Sequence, residues 1–253
     1  MTGSAPWRML TFAPTLDSET ARLACRWYGV DYEEEDHLFG WSSLLVIAKG
    51  GKGANPLLYG KGERINGSRG IVARFDPEAP TGRRLLGTGP EAECVAADWQ
   101  AYNVRMGKEI AVFAYAHLLP ERALMTPILA APLPEAEARL LPRLYLALRW
   151  LFTKLLGLSP ERASLAGERI GQAFAATDRR LADGRRFLRG DRLTAGDLAF
   201  AGAAASLLQP AGFVTVMPPV AAVPGPLRDT IEALQRHPAA RLVERVYAEV
   251  PPA

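Results

Sequence analysis

The chain has 253 residues, 49% of them hydrophobic and 23% charged, which is enough apolar material for one large packed domain or two small ones. A formal charge of +3 argues against a nucleic-acid partner, which needs basic charge gathered on one face. Two cysteines far apart in sequence, Cys25 and Cys94, exclude a disulfide framework and make a reducing cytoplasm the default.

The opening MTGSAPWRM has neither a basic nor an apolar leader region, so no signal peptide is expected. WRMLTF contains a short buried strand, and a helix over Glu19 to Tyr28 ends at Gly29. VDYEEED reads as an alternating strand, and SSLLVIAKGGKGAN as an irregular segment or short helix. NPLLYGKGERI reads as a hairpin turning on Gly-Lys-Gly, its first strand opened by Pro56. NGSRGIVARFD starts a helix with Ile71, Val72 and Phe75 on one face.

DPEAPTGRRLLGTGPE is rich in Pro and Gly, without periodicity, and reads as an interdomain linker. Beyond it nearly everything is helical. Ala92 to Leu119 carries Val95, Trp99, Tyr102, Met106, Ile110 and Phe113 at helical spacing. LPRLYLALRWLFTKLLG and AGERIGQAFAATDRRLADG are two further helices, with Gly157 and Gly184 as stops. QPAGFVTVMPPVAAVPGP is a surface loop. The longest apolar run, LAFAGAAASLL at 198–208, is too short to span a bilayer, so no membrane association is expected. DRRLADGRRFLRGDR at 178–192 sets six arginines among three aspartates and reads as a solvated helix end with internal charge balance.

His37, His117 and His237 are isolated, which predicts no metal site. AKGGKGAN lacks the spacing of a phosphate-binding loop, and no G-x-S-x-G elbow occurs. The most specific string is RFLRGDRLTAGDLAFAGAAASLL, 186–208. Thr194 and Asp197 have capping-box spacing directly before a helix so apolar that it must be buried.

FLRGDRLTAGDLAFA resembles the FL-x-GD-x-LT-x-AD-x-A signature in the helical domain of cytosolic glutathione transferases, and HPAARLVERVYAE resembles the closing helix of bacterial members. NPLL followed by INGSRGIVARF resembles their proline-opened strand, hairpin and Ser-capped helix. The resemblance covers most of the chain. It implies an α/β thioredoxin-like domain over 1–78, a linker over 79–89 and an all-α domain over 90–253, usually in a homodimer.

It also implies a site for glutathione and an electrophilic apolar second substrate. A free thiol with pKa about 8.5 is only a few per cent ionised at neutral pH, and lowering it by about two units takes roughly 2.7 kcal/mol. One hydrogen bond to the anion supplies about 1.5–3 kcal/mol and a helix N-terminus about 0.3–1, which together suffice. The match of ETARLA to the family's first helix puts Thr15 at the thiol-activating position and Ser18, the other hydroxyl candidate for the thiolate, where the second cysteine of a Cys-x-x-Cys would lie, with Phe12 near where other classes carry a tyrosine. Read without the family, Thr15, Asp17 and Ser18 simply cap that helix.

Pro56 resembles the family's cis-proline, whose preceding residue, here Asn55, offers its backbone to the cysteinyl unit; a trans-proline at a strand edge is the plainer reading. Ser68 matches the serine that binds the γ-glutamyl carboxylate. Gly67 stands where an acidic residue normally pairs with the γ-glutamyl ammonium, leaving Asn66 as a neutral substitute. Lys49 and Lys52 are within reach of the glycyl carboxylate or are plain surface lysines. Phe12, Tyr102 and Met106 are second-substrate candidates, although core packing explains the periodicity of Tyr102 and Met106 equally well. The implied activity is conjugation of the glutathione thiolate, with no metal; the alternative is a binding protein with a degenerate glutathione site.

Overall fold

The computed structural model describes residues 6–12 and 15–252. Residues 1–5, on which the reading of the amino terminus partly rests, lie outside the described residues, as do Ala13, Pro14 and Ala253.

The first part is a four-stranded sheet in the order β2-β1-β3-β4. Strand β1 (Trp7–Thr11) runs parallel to β2 (Tyr32–Asp36) and antiparallel to β3 (Leu57–Gly60), which forms a hairpin with β4 (Glu63–Asn66). Lys61 and Gly62 turn that hairpin with φ of 50° and 83°, the left-handed pair that a tight β-turn between twisted strands favours. Both faces of β1 are covered. Met9 joins the main core, and Leu10 packs with Val46 and Leu57 beneath α2 (Trp41–Ala48). The glutamates of β2 mark it as an edge strand.

Helix α1 (Leu16–Tyr28) starts on the Thr15 cap and stops where Gly29 takes φ 67°, three residues earlier at its start than the pattern suggests. Helix α3 (Gly67–Phe75) follows the hairpin directly, with Ile71 and Val72 fully buried. Residues 76–85 are tied down: the Asp76 carboxylate accepts from the Tyr28 hydroxyl at 2.8 Å and from the Leu85 amide, and Leu85 is buried.

The remainder is helical: α4 (Pro90–Trp99) runs through a π-helical stretch (Gln100–Met106) into α5 (Gly107–Leu118). Then come α6 (Arg122–Ala130), α7 (Glu135–Leu156), α8 (Pro160–Leu181), α9 (Ala195–Leu208), α10 (Gly225–Gln235) and α11 (Pro238–Glu249). This is the thioredoxin-like plus all-helical architecture expected from the sequence. No described helix is long and apolar enough to cross a membrane.

Helix α9 explains the sequence signature. It is buried on every side, so its cap must be satisfied internally. Asp197 accepts from the Thr194 amide at 2.9 Å and hydroxyl at 2.6 Å, and from the Leu188 amide at 2.8 Å. Its small residues let α1 lie close: a Cβ on Gly202 would sit 3.0 Å from Thr20 Cα.

The arginines of 178–192 are balanced mainly by acids outside that segment. Arg180 and Arg189 both hold Asp98, Arg192 pairs with Glu91, and Arg186 with Glu249; only Arg185 with Asp183 is local.

Candidate functional site

Four elements converge on the amino end of α1. Helix α9 fixes α1 from behind, β1 delivers Thr11 and Phe12 from the sheet, and α5 and α7 of the helical part close the front. Thr15 caps α1, its hydroxyl oxygen 3.3 Å from the Ser18 amide and 2.5 Å from Ser18 Oγ. Ser18 is fully buried, and its hydroxyl also meets that of Thr11. The three hydroxyls thus form a short row running out from the interior, with Thr15 at its open end, half-buried.

Thr15 forms part of the wall of a cavity of about 310 Å³. Apart from Lys108 and Ser206, the rest of the lining is apolar and aromatic, with Phe12, Phe39 and Phe152 prominent. Phe152 packs against Phe39 at 4.7 Å between ring centroids, Tyr115 at 5.0 Å and Phe12 at 5.9 Å. Phe12 and Thr15 share this wall, and the Thr15 amide donates to the Phe12 carbonyl at 3.1 Å. Burial pushes the Tyr115 phenol well above its ordinary pKa, so it stays protonated, and no described residue hydrogen-bonds it. Ser206 Oγ, from another lining residue, is buried with no hydrogen-bond partner among the described residues.

Tyr102 and Met106 do not line this cavity. The Tyr102 hydroxyl lies 3.0 Å from Thr177 Oγ1 and accepts from Arg180 at 3.1 Å, while its ring meets Phe200 edge-on. Met106 is buried in the same core. Lys108, Ala111 and Tyr115, one to three turns further on, line the cavity instead. The cysteines take no part: burial, with Glu34 nearby, pushes the Cys25 thiol up to about 12, and Cys94 is exposed.

On the sheet side of α1 the Asn55–Pro56 peptide is cis. The Asn55 side chain donates to Ser42 Oγ at 2.9 Å, and the Gly67 amide donates to the Pro56 carbonyl at 2.8 Å, joining the proline loop to the start of α3. Asn66 Oδ1 accepts from the Lys52 amide at 3.1 Å, and the Lys52 side chain is exposed. Lys49 lies over the Tyr59 ring at 5.0 Å.

Ser68 is buried at the amino end of α3 and meets a carboxylate from its own chain. Its amide donates to Asp17 Oδ2 at 3.2 Å and its hydroxyl to Asp17 Oδ1. Asn103 Nδ2, from the π-helical stretch, donates to the same Oδ1 at 2.7 Å. Thr20 in turn donates to Asn103 Oδ1 at 2.9 Å, which fixes the way that amide faces. Asp17 therefore serves α3, not only the helix that carries it. Sequence reading missed this because the contact spans 51 residues and leaves no local pattern. Among the described residues no group of His, Cys, Asp and Glu is arranged to hold a metal ion.

No protein-family model matches the sequence, and no curated protein does. Solved structures do match along almost the whole chain. A glutathione S-transferase of Ceriporiopsis subvermispora in complex with glutathione is 14% identical, with a TM-score of 0.58 over 98% of this chain and 99% of that one. A beta-etherase from Sphingobium sp. strain SYK-6 is 13% identical, with a TM-score of 0.58 over 97% and 100%. A glutathione S-transferase from Sinorhizobium meliloti 1021 is 16% identical, with a TM-score of 0.53 over 94% and 92%. At these identities the likeness establishes the fold, and the chain has the fold of the glutathione S-transferase superfamily.

Proposed function

We propose that the protein is a glutathione-dependent transferase that adds the glutathione thiolate to an electrophilic apolar small molecule. In this reading residues 1–78 bind glutathione, residues 90–253 supply most of the wall for the electrophile, and the enzyme works as a cytoplasmic homodimer. The observation that carries it is the hydroxyl row ending at Thr15 on the wall of an apolar cavity.

Either hydroxyl can donate in each contact of the row, and one direction suits a thiolate. When Thr11 donates to Ser18 and Ser18 donates to Thr15, the Thr15 oxygen also accepts the Ser18 amide. Its lone pairs are then engaged and its own proton is left for a thiolate at the helix end. Ser18 acts through Thr15 and does not touch the substrate. In this reading the peptide of glutathione lies along Lys52, Asn55, Pro56, Gly67 and Ser68. Addition of a thiolate to an electrophile then needs mainly proximity and exclusion of water, which the aromatic walls supply.

The test is turnover of a panel of aryl halides, epoxides and enones at millimolar glutathione, together with ultraviolet titration of the bound thiol. Thr15→Val should lower turnover by about ten- to a hundredfold, the value of one hydrogen bond to an anion, and raise the thiol pKa; Thr15→Ser should retain activity. Equal turnover in Thr15→Val and wild type would overturn the role of Thr15. No turnover with any of the panel would favour a second reading, a binding protein on this fold, which the presence of Asp17 at Ser68 supports.

A further inference from the structure

The amino end of α3 offers the Ser68 amide and hydroxyl to an anion, and both are already engaged by Asp17. The carboxylate is held from two sides, because Asn103 Nδ2 donates to it from the helical part, and Thr20 orients Asn103. An acid in the first turn of a helix ordinarily serves the amides of that helix. Here it crosses to another helix, where it presents a full negative charge to any second anion. A ligand carboxylate arriving at Ser68 would find both of that residue's donors taken and would face Asp17 at contact distance.

Gly67 belongs to the same arrangement. Its φ is 70°, a conformation that other residues adopt at a cost, and a Cβ there would lie 3.3 Å from Asp17 Oδ2. An acidic side chain at 67 would stand against the Asp17 charge.

From this we infer that Asp17 determines the specificity of the thiol subsite: it occupies the anion position at Ser68 and competes there with the α-carboxylate of a γ-glutamyl group. The inference rests on the transferase reading above. The wild-type site takes the cysteinyl part of a thiol cosubstrate while disfavouring a free carboxylate at its far end. Removing Asp17 opens the anion position.

Calorimetric titration of wild type, Asp17→Ala and Asp17→Asn with reduced glutathione and with cysteinylglycine, which lacks the γ-glutamyl group, tests this. Asp17→Ala should bind glutathione about tenfold or more tightly than wild type, with Asp17→Asn between them, because one carboxylate then replaces another on the same donors. Cysteinylglycine should bind all three alike. Adding Ser68→Ala to Asp17→Ala should abolish the gain, and thermal melts of each variant verify folding. Equal glutathione affinity in wild type and Asp17→Ala would overturn this role of Asp17 while leaving the transferase reading intact. Failure of all three proteins to bind either thiol would overturn the transferase reading and this inference with it.

Discussion

Gly202 on α9 packs directly on Thr20 of α1, so near that a Cβ on the glycine would lie 3.0 Å from Thr20 Cα and 3.1 Å from its Cβ. Thr20 is also the residue that orients Asn103 toward Asp17. The most buried helix of the molecule therefore sets the position of α1, and through it the Thr15 end of the cavity and the Asp17 end of α3. Gly202→Val should destabilise the protein by about 3 kcal/mol or more, since backbone rather than a flexible side-chain tip must give way. Gly171 on α8 has open space about its missing Cβ, so Gly171→Ala should stabilise by about 0.5–1 kcal/mol. Chemical denaturation of the two variants distinguishes a packing constraint from a general effect of glycine replacement.

The cap of α9 is a second point of leverage. Asp197 is fully buried and bonded by two amides and one hydroxyl. Burial raises its pKa against the lowering effect of those bonds. Asp197→Ala leaves the Leu188 and Thr194 amides without acceptors and should cost about 2–4 kcal/mol; Asp197→Asn, which keeps one acceptor oxygen, should cost less. Urea midpoints of the two variants measure the difference, and an equal loss in both would show that charge rather than acceptor count matters.

Glu109 joins α5 to α8 through Arg162 at 2.5 Å and Arg169 at 3.0 Å. Burial raises its pKa, but the two guanidiniums outweigh burial and hold the carboxyl below its ordinary value. A folded pKa below the unfolded one means that the unfolded chain binds more protons as the pH falls. The stability from Glu109 is thus present above the unfolded pKa, about 4.3, and is lost as pH falls through the folded value. Glu109→Gln should be about 1 kcal/mol less stable than wild type at pH 7, and the gap should close at lower pH. Thermal melts from pH 7 down to pH 3 follow it.

Features with local causes were legible in the sequence. A cap, a left-handed glycine or a two-residue turn leaves its mark within four or five positions, and Thr194–Asp197, Gly29, Gly157 and Lys61–Gly62 all fall where the residues put them. Features made by long-range contact were not. Tyr102 and Met106 share a helical stripe with Val95 and Ile110, but the π-helical stretch Gln100–Met106 turns the later residues relative to the earlier ones. Periodicity carried through it names core residues and misses Lys108, Ala111 and Tyr115 on the cavity wall. Helix α7 begins at Glu135, ahead of the apolar run that announces it, because its first turn is charged and exposed apart from Glu137. Glu137 accepts from the Leu38 amide at 2.7 Å and lies 2.6 Å from His37, a tie that no local pattern shows.

The cavity wall provides the remaining test. Phe152 touches Phe12, Phe39 and Tyr115, so it joins the sheet to the helical part through stacked rings. Phe152→Ala removes a nearly buried aromatic side chain and should cost about 3–5 kcal/mol, the range for such core truncations. Tyr115→Phe keeps the ring against Phe152 and removes only a hydroxyl that no described residue bonds. It should therefore change stability by less than about 0.5 kcal/mol, since Tyr115 is only half-buried and no bond within the described residues is lost. For an apolar electrophile without a hydrogen-bond acceptor, Tyr115→Phe should also leave binding unchanged, whereas Phe152→Ala should weaken it. Denaturation and fluorescence titration of the two variants measure both effects. A loss of more than about 1 kcal/mol in Tyr115→Phe would mean that the hydroxyl has a bonding partner in solution, because only a satisfied hydroxyl costs that much to remove.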